Sequence, residues 1–197
     1  MSTNRISLIR QIGESMRVIS GKAKGTKLNS LEGIATRPTL DRVKEALFNI
    51  LQFDLQDAIV LDLFAGSGAL GIEALSRNAK QVVFCDNSYK AIQIIEKNLK
   101  KTNLNKNAIV INKDYKTCLK DLKEQFDIIF LDPPYKSSFA IEALEQIVDL
   151  NLLSKEGIIV IETDEENIEK EIQTIDINLY DIRKYGRVKL MFLNRKG

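Results

Sequence analysis

Asp132-Pro133-Pro134-Tyr135 stands at the end of the apolar run Phe126 to Leu131, downstream of Asp62-Leu63-Phe64-Ala65-Gly66-Ser67-Gly68. Residues of these types in this order suit methyl transfer onto an amino group. An exocyclic amine on a nucleobase is a poor nucleophile, because its lone pair is delocalised into the ring. The Asp132 carboxylate and the Pro133 carbonyl oxygen can each accept one N–H, which turns that lone pair out of the ring plane. Pro133 and Pro134 restrict the backbone around the acceptors, and Tyr135 offers a face for stacking a base. After transfer the nitrogen is acidic and sheds its proton to Asp132 or water, so neither histidine nor metal is required. The plain alternative is a proline turn that closes a strand.

The glycine loop is suited to a donor. Gly66 and Gly68 let a ligand approach the main chain, and amides at the start of the following helix attract a carboxylate or phosphate. Asp62, Phe64, Ala65 and Ser67 complete the loop. Asp86 and Asn87 close the next strand, and Asp114 and Tyr115 follow the third. S-adenosylmethionine fits this set: the loop holds its methionine end, Asp86 accepts both ribose hydroxyls, and Asp114 bonds the adenine amino group. Taken singly, Asp86 and Asp114 read equally as caps or turn acids. Gly66-Ser67-Gly68-Ala69-Leu70-Gly71 also matches G-x-G-x-x-G, with Asp86 where a ribose-binding acid belongs, so a nicotinamide enzyme competes. Asp62 and the later Asp132 motif favour the methyl donor.

Positioning these residues requires a sheet whose strand ends converge. From Ile59 onward, short β-rich runs alternate with amphipathic stretches, the pattern of parallel strands joined by helices. The class is α/β and Rossmann-like. Strands are expected at Ile59 to Leu63, Gln81 to Cys85, Ala108 to Asn112, Asp127 to Leu131 and Gly157 to Glu162. Helices are expected over Leu70 to Arg77, Tyr89 to Lys101 behind a Ser88 cap, Thr117 to Glu124 and Ala140 to Leu150. Ile177 to Lys184 and Val188 to Asn194 flank Tyr185-Gly186-Arg187 as a C-terminal antiparallel hairpin. Upstream, Arg17 to Ser20 and Thr26 to Leu28 bracket a glycine-bounded basic turn. Thr39 caps a helix through Leu51 with the stripe Val43, Leu47, Ile50 and Leu51. Residues 1–15 are expected to be a mobile tail, with Met16 also qualifying as an initiator. The units are then 16–56, a basic hairpin and helix, and 57–197, the catalytic part, packed together as one globular body.

Composition narrows the chemistry. At 197 residues, 44% apolar and 28% charged, the chain fits one ordinary domain, and it contains no histidine. Serine-histidine hydrolysis and histidine-ligated metals are thereby disfavoured, and no metal is expected. Cys85 and Cys118 lack paired metal or redox spacing and read as buried thiols. Neither a membrane span nor a secretion signal is evident, which points to the cytoplasm. Net charge is only +2, yet Arg17, Lys22, Lys24, Lys27, Arg37 and Arg42 crowd the first quarter of the chain. With Lys136 beside the target motif, they form a candidate phosphate-binding surface, although a basic run is commonly a solvated face.

Several of these stretches resemble bacterial RsmD-type methyltransferases, which modify the guanine N2 amino group of small-subunit ribosomal RNA. The resemblance runs from Met16 to about Arg195. It rests on Met16-Arg17-Val18-Ile19-Ser20-Gly21, Thr36 to Phe48, Leu61 to Ser76 and Leu131 to Tyr135, of which the second and third are the specific ones. It implies a seven-stranded class I methyltransferase fold and S-adenosylmethionine as donor. It further implies Asp62 to Gly68 and Asp86 as cofactor contacts and Asp132 to Tyr135 as the base site. Arg37 would lie over the active site, meeting the cofactor carboxylate or an RNA phosphate. Leu40 stands where the family usually has a second threonine. The implied substrate is a ribonucleoprotein particle, and the chain is expected to act as a monomer. An adenine-N6 methyltransferase acting on DNA or RNA shares both loops; the short basic arm, with no further reading domain, disfavours DNA. A non-enzymatic RNA-binding module is disfavoured by the intact Asp62, Gly66, Gly68 and Asp132.

Overall fold

The computed structural model describes residues 16–30, 38–134 and 138–197. After the N-terminal arm come α1 (Pro38–Ile50), β1 (Ile59–Asp62), α2 (Ala69–Ser76), β2 (Gln81–Asp86), α3 (Tyr89–Thr102), β3 (Ala108–Asn112) and α4 (Tyr115–Asp121). Then follow β4 (Phe126–Leu131), α5 (Phe139–Asp149), β5 (Leu153–Thr163), α6 (Ile168–Ile172), β6 (Asn178–Tyr185) and β7 (Val188–Asn194). One sheet holds the seven strands in the order β3-β2-β1-β4-β5-β7-β6. Strands β1 to β5 run parallel, and β7 pairs antiparallel with both β5 and β6. The order reverses between β1 and β4, and ligands in open α/β sheets collect beyond the strand ends at such a point.

Near-continuous apolar runs in β1, β2 and β4 follow from helices covering both faces. Val60, Val82, Phe84, Phe130 and Val160 turn toward α1, α2 and α3, while Leu61, Val83, Ile129, Leu131 and Ile161 turn toward α4, α5 and α6. The Ser88 hydroxyl accepts the Ala91 amide at 3.4 Å, as its capping position predicts. Asn103, at φ +57°, ends α3. Where the strands and helices differ from expectation, local polarity misleads. Strand β5 starts at Leu153 rather than Gly157, because Leu153 pairs with Phe126 despite the polar Ser154-Lys155-Glu156 that follows. Helix α4 starts at Tyr115, since Asp114 caps it through the Thr117 amide at 3.0 Å. The short α6 is added, seated by buried Ile168 and Ile172. Cys85 and Cys118, distant in sequence, adjoin each other as buried free thiols.

On α1 and the turn that follows it the inward face runs through Val43, Lys44, Leu47, Phe48 and Leu51, and Ile50 is left exposed. Phe48 takes the place foreseen for Ile50, its ring 5.8 Å from that of Phe130. The stripe rotates because Lys44 is drawn inward to donate to the Arg17 carbonyl at 2.7 Å. The basic arm forms the expected turn, with Val18 donating to Thr26 at 3.0 Å and Gly25 to Val18 at 2.8 Å, but only the Arg17 and Lys27 pair bridges as strand. Ile19 and Ser20 instead donate their amides to the Glu73 carboxylate of α2, at 2.7 and 2.9 Å.

Glu73 is fully buried and also faces Arg77 at 2.9 Å and Lys44 at 3.6 Å. A buried charge with these partners is costly to remove from one side, since the cations and amides stay behind. Glu73→Ala is expected to cost about 3–5 kcal/mol. The drop in the urea midpoint of unfolding measures it, and an unchanged midpoint contradicts it.

Candidate active site

Each candidate acid sits where a strand ends. The Asp62 carboxylate, 2% exposed, accepts the Gly71 amide at 2.9 Å and thereby folds the glycine loop back onto its own strand. Asp86 accepts the Gly66 amide on one oxygen and the Ser88 amide on the other, both at 2.8 Å. Each of its oxygens keeps a second lone pair for a hydroxyl. At Gly68 the backbone is left-handed, φ +76° with ψ 18°, and this turn starts α2. A Cβ at Gly71 would lie 2.2 Å from the Phe84 ring, so the absence of a side chain there lets α2 lie flat on β2. Ser67 is held from below: Asn98 of α3, buried, donates to the Ser67 carbonyl at 2.9 Å and to Asn29 at 3.0 Å. The N-terminal arm thus reaches the glycine loop, a link that no sequence pattern announced.

Beyond β3, Phe64, Tyr115 and Phe139 form an aromatic row with centroid separations of 5.2 and 5.3 Å. Tyr115 donates its hydroxyl to Glu142 at 2.8 Å, and burial, ahead of that carboxylate, pushes the phenol up to about 12. Glu142 also receives Lys116 at 2.7 Å and the Ser138 hydroxyl; these three partners pull it down to about 2. Such a network ties the start of α5 to the start of α4. Asp114 is a helix cap, exposed, with its carboxyl held low by Thr117. Asn87 is exposed beside Asp86.

Strand register brings the carboxylates together. Asp62 pairs with Phe130, and Asp132 lies two residues further on, just past the end of β4, so the alternation puts both on the α2 side of the sheet. Leu131 pairs with Ile161, which makes Glu162 of β5 the neighbour of Asp132. Glu162 is half-buried. The sequence marks Glu162 only as a strand end, since nothing local to Gly157 to Glu162 sets it beside Asp132. Asp132 keeps access to solvent, yet protein surrounds it closely enough that desolvation, then the charges of Glu162 and Asp62, raise its carboxyl well above the usual range. Asp132 thus stands just beyond the carboxyl end of β4, where an open sheet of this strand order forms a crevice at its switch point. Burial likewise raises Glu162. Pro133 is buried and Pro134 exposed. Arg37, Tyr135 and Lys136 lie outside the described residues, as do residues 1–15. Arg17, Lys22, Lys24, Lys27 and Arg42 are all exposed, the first four on the basic arm and the last on α1. The wide recess lined by Lys120, Gln125, Leu150 and Leu152 lies at the opposite, amino end of β4, away from these acids.

Burial, then repulsion from Asp86, pushes Asp62 up to about 7 from an ordinary 3.8, with the Gly71 bond opposing. The folded protein therefore holds a proton that the unfolded chain has released. Stability from this group is complete below the unfolded value and is lost as pH rises toward about 7. Asp62→Asn is expected to flatten the decline in Tm between about pH 5 and about pH 8 in the absence of ligand. A decline of unchanged slope contradicts that assignment.

A switch point flanked by Asp62 and Asp132, in a sheet of this strand order, is the layout of class I methyltransferases, which draw methyl groups from S-adenosylmethionine. Solved structures agree on the fold. The chain superposes on yhhF from Escherichia coli with TM-score 0.81 and 35% identity, covering 91% of this chain and 97% of that one. It superposes on the hypothetical protein TTHA0928 from Thermus thermophilus with TM-score 0.75 and 26% identity, covering 90% and 98%. Residues 16–194 match the family model described as Conserved hypothetical protein 95. The chain belongs to this family, the RsmD family, and is a methyltransferase rather than a nicotinamide enzyme. Ribosomal RNA small subunit methyltransferase D of Haemophilus influenzae is 40% identical over 154 residues, 77% of this chain and 80% of that protein. Its Escherichia coli K12 namesake is 38% identical over 152 residues, 77% and 76%.

Proposed function

We propose that this protein transfers a methyl group from S-adenosylmethionine to the exocyclic N2 amine of a guanine in small-subunit ribosomal RNA. The observation that carries the proposal is Asp132: solvent-accessible just beyond the carboxyl end of β4, at the switch point of the sheet, and without a hydrogen-bond or ion-pair partner among the described residues. A carboxylate so placed has acceptor capacity to spend on an incoming N–H pair. The names of the similar proteins, ribosomal RNA small subunit methyltransferase D, support the RNA class. The guanine N2 specificity rests on the resemblance and on the chemistry of the site.

The residues present fit the donor. Around Gly66 there is open space within 4 Å of where a side chain would start, so a ligand can meet its main chain. Asp86 retains acceptor sites for ribose hydroxyls, the aromatic row offers an adenine face, and Asp114 at its edge can accept the adenine amine. Phe64, Ala65, Ser67, Asn87 and Tyr115 complete the pocket wall. When bound, S-adenosylmethionine supplies an electrophilic methyl on a sulfonium. Asp62 holds the loop, while Asp132 and the Pro133 carbonyl receive the amine hydrogens and bring the lone pair out of the base plane. Tyr135 stacks the base, and Asp132 or water takes the proton lost afterwards.

Arg17, Lys22, Lys24, Lys27 and Arg42, with Arg37 and Lys136, meet RNA phosphates. The substrate is a small-subunit particle whose folded surface supplies the specificity that a 16–56 arm cannot. The enzyme acts as a monomer in the cytoplasm. Lys22→Ala with Lys24→Ala is expected to lower the slope of log affinity against log salt by roughly 1.4 to 1.8, at 0.7 to 0.9 per phosphate contact. An unaltered slope removes the turn from the RNA interface. The proposal itself is tested by offering labelled S-adenosylmethionine with small subunits, assembly intermediates, bare ribosomal RNA and DNA, then identifying the methylated nucleoside. N2-methylguanosine in small-subunit RNA is the expected product; methylation confined to DNA, or to adenine, overturns it.

A further inference from the structure

Glu162 is the residue of this cleft that the reaction above leaves without a task. It follows Ile161, the register partner of Leu131, and so stands next to Asp132 on the adjacent parallel strand, one strand spacing of about 4.8 Å away. Alternation along β5 puts it on the side of Val160, facing the glycine-loop side of the sheet with Asp62 and Asp132. Its other neighbour across the sheet is Leu190 of β7, which is apolar and fully buried. Glu162 therefore gains no cation from either flanking strand. Among the described residues it has no hydrogen-bond or ion-pair partner, and it remains half-buried. Two such carboxylates side by side raise one another's affinity for protons, and the effect is visible here at Asp132. Neither has a donor among the described residues, and both stand at the carboxyl ends of adjacent parallel strands on the same face of the sheet.

Guanine carries two adjacent donors on its Watson–Crick edge, N1–H and N2–H, whereas adenine and 2-aminopurine present an unprotonated N1 acceptor at the matching position. We propose that Glu162 is a specificity-determining residue that accepts the guanine N1–H while Asp132 and Pro133 hold the N2 amine. The assignment rests on the guanine-N2 reading above and extends it to base selection. A base with an acceptor at N1 places its lone pair against the Glu162 carboxylate and is rejected, since two acceptors facing each other leave both unbonded. Glu162 thus separates guanine from the other purine amines that an Asp-Pro-Pro-Tyr loop can hold.

The test compares small subunits reconstituted with guanine or with 2-aminopurine at the nucleotide that wild type methylates. 2-Aminopurine keeps the N2 amine and loses only the N1 hydrogen and O6. Wild type is expected to favour guanine in kcat/KM by at least about tenfold, the discrimination of one good base-edge contact. Glu162→Gln, whose amide can donate to an unprotonated N1, is expected to raise the 2-aminopurine to guanine ratio by about the same factor. A Glu162→Gln protein that binds S-adenosylmethionine as wild type does and keeps the wild-type ratio overturns the proposal. So does equal loss on both bases. Should the variant fail to fold, wild type decides alone: equal rates on guanine and 2-aminopurine mean that N1–H is not read. A wild-type product other than N2-methylguanosine is a different failure, that of the guanine-N2 reading itself.

Discussion

Asp132→Ala loses methyl transfer while still binding S-adenosylmethionine: kcat is expected to fall by at least about 10²-fold, the scale of losing one preorganised polar group at a reacting centre. The reason lies in the division of the cleft. The glycine loop is assembled by Asp62, Asp86 and Asn98, whose bonds run to Gly71, to Gly66 and Ser88, and to Ser67. Asp132 takes no part in those bonds, so its removal leaves the loop standing. Single-turnover transfer to small subunits and calorimetric titration with the cofactor separate the two effects. Equal loss of cofactor affinity contradicts the division. Asp132→Asn adds a second reading. Desolvation and the neighbouring carboxylates hold the Asp132 proton to higher pH than an ordinary aspartate. Its acceptor form, and with it kcat, is therefore gained as pH rises through a range above the usual carboxylate value. An amide cannot titrate, so this acid limb is expected to lose the Asp132 contribution in the variant. Profiles that superimpose on wild type assign the limb elsewhere.

Gly68→Val abolishes cofactor binding for a backbone reason. Position 68 has φ +76°, where a side chain costs roughly 1–2 kcal/mol and a β-branched one more. The new Cβ would also meet Ile95 at 3.3 Å and Ile72 and Phe84 at 3.4 Å, so the valine methyls have no free direction on that side. Relief requires the turn to open, which breaks the Gly68 to Ala65 bond of 2.6 Å and moves the start of α2. Calorimetry should then detect no S-adenosylmethionine binding, with a lowered Tm. Wild-type affinity in this variant places the donor away from the loop.

Legibility was uneven along the chain. The alternating β and α segments, the Ser88 cap and the Val188 to Asn194 strand follow from period and capping chemistry, which act over a few residues. The Ser154-Lys155-Glu156 stretch was opaque, because pairing between Leu153 and Phe126 overrides local polarity there. The N-terminal arm was misjudged in its length as a hairpin for a related reason. Its Ile19 and Ser20 amides are taken by Glu73, a residue more than fifty positions away that reads as an ordinary helix glutamate.

The candidate site divides along the same line. Asp62, Gly66, Gly68, Asp86 and the Asp132 motif are decided by residue type and local spacing, since a tight turn, a close main-chain approach or a proline-fixed acceptor needs particular residues at particular neighbours. Glu162, Asn98, Glu142 and Phe139 belong to the same cleft for no local reason. Only the parallel register of β4 with β5, and the packing of α3, α4 and α5 against their strands, sets them beside the loop. The short motifs carry the residue types that suit methyl transfer onto an amino group without choosing among amines; which carboxylate stands next to Asp132 is decided by strand pairing, a relation between residues thirty positions apart.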